Sequence, residues 1–481
     1  IRRAIRHGHK IGIDKVFFYR LAPVLALEMK DVYPELKKAL ANVEKVLKRE
    51  EQRFAQTLDQ GMGILEEAIA NLKGSQIDGE TVFKLYDTFG FPVDLTADVA
   101  RERDLTIDMP GFEAEMTKQR DRARSAGDFK TTQKGVDISD ATEFLGYEQL
   151  ENSSSVQALI KDGELVDSID AGDNAIIVLA QSSFYGESGG QVGDSGLLSN
   201  VDVKFDVNNT QKQKSGAFEH HGVLNSGILK VSDVVSASVD KNRRKRIARN
   251  HSATHLLHAA LRTVLGETVT QKGSLVDGDK LRFDFSHDEV ISKADIDKIE
   301  GMVNRKILGN TIVHTDVTDI KTAKKNGAMA LFGEKYGNTV RVLTMGKDDF
   351  SVELCGGTHV NQLGDIGLFR ITSEGGIAAG VRRIEAMSGY DAYQFDKQTE
   401  DSLSEIAQMT KSNNAQAVEK VAQLIKQQKE LEKQIETFQK QLASNQGDDL
   451  VNQAEDVNGV KLLSTVVEGV SGKDLRDIAD K

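Results

Sequence analysis

The chain predicts a multidomain α+β protein, and three observations carry that expectation. Its 481 residues, 39% hydrophobic and 28% charged, exceed what one hydrophobic core organises. The spacing of apolar residues changes along the chain from three-to-four, to two, to a mixture, and finally to a heptad. Metal-ligating residue types stand in the mixed stretch. The expected order is a helical domain over 1–130, a small β-barrel over 136–240 and an α+β domain over 241–395. A helical or coiled-coil stalk follows over 396–446, and the opening of a further domain over 447–481.

The helical expectation rests on Leu36, Leu40, Val43, Leu47, Phe54, Leu58, Met62, Leu65, Ile69 and Leu72. They recur at three- to four-residue steps and predict one long amphipathic helix after Pro34. Asp78 to Asp87 reads as a short helix stopped by Gly90 and Pro92. Ser125–Gly135 is polar and reads as a linker. In the barrel region, Leu159-Ile160, Ala175–Leu179, Val201–Phe205 and Val231–Val239 read as short strands between Gly, Asn and Asp turns. Phe184–Asp194 is dense in glycine, which fits either a wide turn or a backbone surface on which a ligand lies closely. The α+β region mixes a histidine-bearing helix from Ser252 to Thr263 with strands such as Lys280–Phe285 and Thr339–Leu343. Ala417, Val421, Leu424, Gln428, Leu431, Ile435, Phe438 and Leu442 then form a heptad seam, suited to a stalk between domains or to a dimerisation helix.

Two ligand pairs mark the chemistry. His251-Ser-Ala-Thr-His255 places two imidazoles four residues apart on one helix face. The only cysteine of the chain stands in Cys355-Gly-Gly-Thr-His359, where two glycines let the backbone aim both side chains at one point. Either pair alone reads as ordinary surface histidines or a buried thiol. Together they offer one thiolate and three imidazoles, the donor set of a tetrahedral zinc site. His258 is a substitute ligand or a supporting group. Ser252 stands where H-E-x-x-H metalloproteases carry their general base, so that class is excluded.

A net charge of −12 argues against non-specific nucleic-acid binding by the whole molecule, yet two basic runs break the pattern. One is Arg2, Arg3, Arg6, Lys10, Lys15 and Arg20. The other, Lys241, Arg243, Arg244, Lys245, Arg246 and Arg249, runs into His251 and is placed to bring a phosphate backbone to a metal site. One cysteine excludes a disulfide framework and fits a reducing cytoplasm. No segment approaches the roughly 18 apolar residues of a membrane span. Ile1 begins inside a helical pattern, and Ser471–Leu475 starts a helix without room to finish, so both ends read as cut. Val460–Val467 reads as a strand.

The pairs His251–His258 and Cys355–His359, with Gln271–Val276 and Arg282–His287, resemble the editing domain of the alanyl-tRNA synthetase family. Arg2–Gly8, Leu85–Pro92 and Gly380–Glu385 extend the resemblance over essentially the whole chain. It implies a tRNA-recognition role for the helical region, which freestanding editing relatives lack. It also implies hydrolysis of mischarged Ser-tRNA(Ala) and Gly-tRNA(Ala), with one Zn2+ held by His251, His255, Cys355 and His359. ATP and Mg2+ would belong to an aminoacylation domain preceding Ile1. Thr254 and Gln271 fall where the family shapes its catalytic pocket, although Thr254 also suits packing within its helix. Asp87 matches the residue associated with the G3·U70 acceptor pair, although it also suits a helix end. Arg2, Arg3, Arg6, Arg243 and Arg244 are the expected contacts to the acceptor stem and 3′ end. The C-terminal region resembles the opening of the family's dimerising, tRNA-binding domain. Two competing classes are a non-catalytic tRNA-binding module with a structural zinc, and a metal hydrolase acting on a small substrate.

Overall fold

The computed structural model describes the chain except residues 14, 73, 127–135, 137, 139, 331–336, 452–453, 465 and 467–481. The linker at Ser125–Gly135 and the helix start at Ser471–Leu475 therefore lie largely or wholly outside the described residues. The chain divides into two compact units, Ile1–Gln133 and Lys134–Lys481.

The first unit is helical: α1 (Arg2–Lys10), α2 (Leu21–Met29), α3 (Glu35–Ala70), α4 (Gly79–Asp87), α5 (Val93–Arg101) and α6 (Met109–Ala126). The long amphipathic pattern after Pro34 is α3, whose Phe54, Leu58 and Leu65 enter a core with Ile77, Leu85, Phe91 and Leu95. Asp78 caps α4, its carboxylate accepting from Thr81 N at 2.8 Å. The helix gives way to Gly90, which adopts φ +59°, a conformation that disfavours any side chain bearing a Cβ.

In the second unit, six antiparallel strands close a barrel. They run Val234–Val239, Gly196–Ser199, Lys204–Lys212, Phe218–Ser226, Asn174–Leu179 and Glu151–Lys161, the last pairing back to the first. Closure pairs both edges of the six-stranded array and buries Leu159, Ile177, Leu179, Phe184, Phe205 and Leu224 inside, while the short strand Glu164–Val166 adds beside the end of Glu151–Lys161. Two expected strands begin late. Val201 is fully exposed, because Asn200 Oδ1 accepts from both Asp202 N and Val203 N and bends the chain into an Asx turn before Lys204. Val231–Asp233 is likewise a turn, with Ser232 at φ +74°, and its strand starts at Val234. The strand Phe218–Ser226 escaped the alternation pattern, since His220 and His221 interrupt its apolar face.

After the barrel comes α7 (Lys241–Leu265), then α8 (Lys293–Leu308) and the short α9 (Ile320–Lys325). A four-stranded antiparallel sheet runs in the order Gln271–Val276, Leu281–Ser286, Val381–Ser388, Phe369–Ala378. A separate sheet joins His314–Asp319, Thr339–Met345 and Ser351–Leu354. Asp240 starts α7 by accepting from Asn242 N and Arg243 N at 2.9 and 3.0 Å. Leu256, Leu257 and Leu261 of α7 then pack with Phe283, Phe285 and Ile299, each buried leucine stabilising the fold by about 1.5–3 kcal/mol. The chain continues as α10 (Tyr390–Met409) and α11 (Ala417–Val451), so helix begins inside the stretch assigned from sequence to the α+β domain. The heptad seam lies on α11, where Leu424, Leu431, Ile435 and Phe438 are exposed. Val460–Leu462 forms a short hairpin with Glu455–Val457.

His220 gives the barrel a pH dependence. It is fully buried, with Nδ1–H donating to Ile177 O at 2.8 Å and Nε2 accepting from Ser182 Oγ at 2.8 Å. Burial pushes its pKa down from 6.5 to about 4. Between those pH values the unfolded chain binds a proton that the folded barrel refuses, so stability falls on acidification through this window and is unaffected above it. The loss should total about 3 kcal/mol. His220→Asn should remove about 2 kcal/mol of this loss from the pH 7 to pH 5 difference in urea unfolding, and an NMR titration should find the native imidazole neutral at pH 5.5.

Candidate metal centre

Helix α7 carries His251 and His255 one turn apart, and the segment after strand Ser351–Leu354 carries Cys355 and His359. All four ligand atoms lie within 4.8 Å of one another. Cys355 Sγ stands 3.5 Å from His251 Nε2 and 3.2 Å from His359 Nε2. A tetrahedron with zinc's bond lengths has edges of about 3.3–3.6 Å. The donor set and its spacing therefore fit the ion.

Each imidazole is held through Nδ1, which leaves Nε2 for the centre. His251 Nδ1 donates to Gln191 Oε1 at 2.7 Å, His255 Nδ1 to Glu353 Oε2 at 2.7 Å, and His359 Nδ1 lies 3.2 Å from Ser252 Oγ. Such partners fix ring orientation and tautomer in metal sites. His255 Nε2 is buried and has no hydrogen-bond partner, a cost of about 1–3 kcal/mol that an ion bound there would remove. Gly357 has no substitute: a Cβ on it would sit 2.1 Å from His251 Cε1.

The electrostatics suit a cation. Burial alone would raise Glu353, yet the facing His255 and His258 hold it down at about 2. Burial alone would lower His255, but Glu353 and Cys355 outweigh it and raise its pKa to about 10. Burial opposes ionisation of Cys355 too, and the surrounding histidines still bring its thiol well below the usual range. His359 is pushed down by burial to about 3. The centre thus concentrates negative charge at Cys355 and Glu353, balanced by a proton on His255 that a metal would displace.

Thr254 and Gln271 line the same cavity of about 440 Å³ as His251, His255 and Cys355. Thr254 Oγ1 also donates back to Asn250 O at 2.8 Å within α7. His258 supports the site through Glu353, its Nδ1 lying 2.9 Å from Oε1.

The cations are placed less simply. Arg244, expected at a phosphate-facing surface, is instead buried. Its guanidinium pairs with Asp194 and donates to Gly146 O and Ser183 O at 2.7 and 2.9 Å. Arg243 donates to Gly193 O at 2.7 Å. In the helical unit Arg6 is buried against Glu102 at 2.9 Å. Arg2 pairs with Glu50, and Arg3 with Asp94 and Asp98. Asp87 is exposed at the end of α4 and accepts from Gln119 Nε2.

Sequence reasoning missed Gln191, Glu353, Tyr147 and Arg341. Glu353 had a signal: it stands between Val352 and Leu354, two residues before Cys355, so both face one side. Gln191 lies in the glycine-dense segment, which is a docking loop. Gly190, at φ +81°, would place a Cβ 2.7 Å from Ser274 O, and Val276 N donates to Gly190 O at 2.7 Å. Tyr147 donates to Gly356 O at 2.6 Å, and Arg341 stacks 3.6 Å from the Tyr147 ring while donating to Gly357 O at 3.0 Å.

Comparison with known proteins places this architecture. The model for tRNA synthetases class II (A) matches residues 1–243, and the model for the threonyl and alanyl tRNA synthetase second additional domain matches residues 340–385, which include Cys355 and His359. The chain belongs to the class II tRNA synthetase family. Within that family it is homologous over its whole length to alanine–tRNA ligases. It is 77% identical over 481 residues to that of Ruthia magnifica subsp. Calyptogena magnifica, and 55% identical over 482 residues to that of Hydrogenovibrio crunogenus. Each match covers all of this chain, which spans about half the length of these curated relatives, 56% and 55% respectively. The class II match covers the helical unit and the barrel, a region expected from sequence to follow the ATP-using domain. Among the described residues no helix is long and apolar enough to cross a membrane.

Two measurements check the site. Gln191→Leu should weaken zinc binding roughly 10–100-fold, as losses of such supporting groups do, read by competition with a chromogenic chelator. Arg244→Ala should destabilise the second unit by about 3–5 kcal/mol by stranding Asp194; an unchanged unfolding midpoint would refute its structural role.

Proposed function

We propose that the second unit hydrolyses the ester of mischarged Ser-tRNA(Ala) and Gly-tRNA(Ala), within an enzyme that attaches alanine to tRNA(Ala) with ATP. The observation that carries this reading is the convergence of three imidazoles and one thiolate beside a cavity lined by Thr254 and Gln271. A synthetic pocket sized for alanine discriminates against serine or glycine only about 10–200-fold, so a second, hydrolytic sieve is required.

His251, His255, Cys355 and His359 would hold Zn2+, which when bound supplies Lewis acidity toward a carbonyl or hydroxyl oxygen and acidifies water. The chain's own residues do the rest. Gln191, Glu353 and Ser252 fix the imidazoles, Tyr147 and Arg341 hold the Gly356-Gly357 turn, and Thr254 and Gln271 offer polar groups to the amino-acid end. The helical unit would bind the acceptor stem. There Asp87, an acceptor when ionised, suits the guanine amino group in the minor groove, and Arg2 and Arg3 suit neighbouring phosphates. Arg243 would approach the 3′ end. Self-association would use the C-terminal region. The assembly would work in the cytoplasm.

The competing reading is a tRNA-binding module with a structural zinc, favoured by a ligand set that already fills a tetrahedron. One assay separates them. The chain should deacylate Ser-tRNA(Ala) far faster than Ala-tRNA(Ala). Cys355→Ala, compared at equal folded fraction, should hydrolyse roughly 100-fold more slowly, on the scale of lost ligand support. Equal rates would leave only the structural reading.

A further inference from the structure

The basic half of α7 is sorted by its partners. Lys241 pairs with Glu151, Arg243 donates to Gly193 O, Arg244 is buried on Asp194, and Arg246 is held by Asp279 and Asp391. Lys245 and the terminal nitrogens of Arg249 keep no partner among the described residues. Lys245 is exposed, and Arg249 uses only its Nε, on the backbone oxygen of Asp365 at 2.8 Å. They stand four residues apart, hence on one helix face. Both line a second cavity of about 520 Å³.

That cavity adjoins the metal centre. His359 and Thr358 form part of its wall, whereas His251, His255 and Cys355 line the first cavity. Tyr147 and Arg341, stacked at 3.6 Å, line both. The segment Cys355–His359 therefore separates a polar cavity carrying the metal ligands from a cationic one, and the stacked pair bridges them. Stacked aromatic and guanidinium planes accept nucleobases of any sequence, and paired cations accept the phosphates between them. Glu148 and Asp365 also line the second cavity, so its positive potential is local to the α7 face and not spread over the wall.

We propose that the second cavity is a phosphodiester subsite for the single-stranded 3′ tail of the RNA substrate. Lys245 and Arg249 contact the phosphate of the nucleotide preceding the esterified one, and Tyr147 with Arg341 supports its base. This rests on the hydrolytic reading for the identity of the substrate, but the site itself is a claim about nucleic-acid binding. Within the basic run Lys241–Arg249 it places this contact on Lys245 and Arg249, whereas the sequence singled out Arg243 and Arg244.

The test uses the whole zinc-loaded chain and a fluorescein-labelled single-stranded RNA tetranucleotide ending in a free 3′ hydroxyl. Lys245→Ala and Arg249→Ala should each weaken binding roughly three- to tenfold, and each should reduce the slope of log affinity against log salt by about 0.7, the single-strand value per phosphate contact. Lys293→Ala, on an exposed helix face remote in sequence, is the control. With Ser-tRNA(Ala), the two variants should raise KM and retain kcat. Zinc content and circular dichroism unchanged from the parent chain exclude misfolding. Tetranucleotide binding and salt slope equal to those of the control would overturn the subsite. If the parent chain binds the tetranucleotide through these residues yet hydrolyses no ester, the subsite stands and the hydrolytic reading fails.

Discussion

The arrangement of the second unit depends on a single buried amide. Gln191, fully inaccessible to solvent, comes from a loop of the barrel, but every polar atom of its side chain is used outside it. Oε1 accepts from His251 and from Thr358 N at 2.9 Å, and Nε2 donates to Thr358 Oγ1 at 2.9 Å. One carboxamide thus ties the helix-borne ligand pair to the turn-borne pair. A buried network of this kind specifies one geometry, since any other leaves a donor or acceptor unpaired in a low-dielectric interior. The barrel is in this sense a component of the candidate metal centre and not a neighbouring module.

What was legible in the sequence was whatever is local. The spacing of four in His251 and His255 follows from helix geometry alone, and Cys355-Gly-Gly-Thr-His359 announces a tight turn without knowledge of its surroundings. The long helix after Pro34 and the alternation in the barrel are similarly local signals. The residues that complete the site are partners across large separations, Gln191 being 60 residues from His251 and Tyr147 209 from Gly356. No periodicity encodes those meetings. The misread strand at Val201 has a comparable origin: apolar alternation was present, but Asn200 offered the backbone a competing local hydrogen-bond pattern.

Charge was the least legible property. The run from Lys241 to Arg249 reads as one uniform basic face, yet a helix distributes six cations around its circumference. Arg244 turns inward to neutralise Asp194, while Lys245, one position later, reaches solvent. The same sorting occurs in the helical unit, where Arg6 is buried on Glu102 and Arg3 is exposed. Sequence shows how much charge a segment carries; only packing shows which of it is available to a ligand.

Helix α7 runs unbroken from the cations to His251 and His255 of the candidate metal centre, and this continuity fixes a length. At about 1.5 Å per residue, the six positions between Lys245 and His251 correspond to roughly 9 Å along the axis. Because the helix is stiff, that offset cannot be tuned by side-chain choice. It can change only by inserting or deleting a residue, which would also swing one group about 100° around the cylinder relative to the other. The stretch should therefore accept drift in residue type far more readily than any change in register, and natural variation in length should be confined to the loops at either end of the rod.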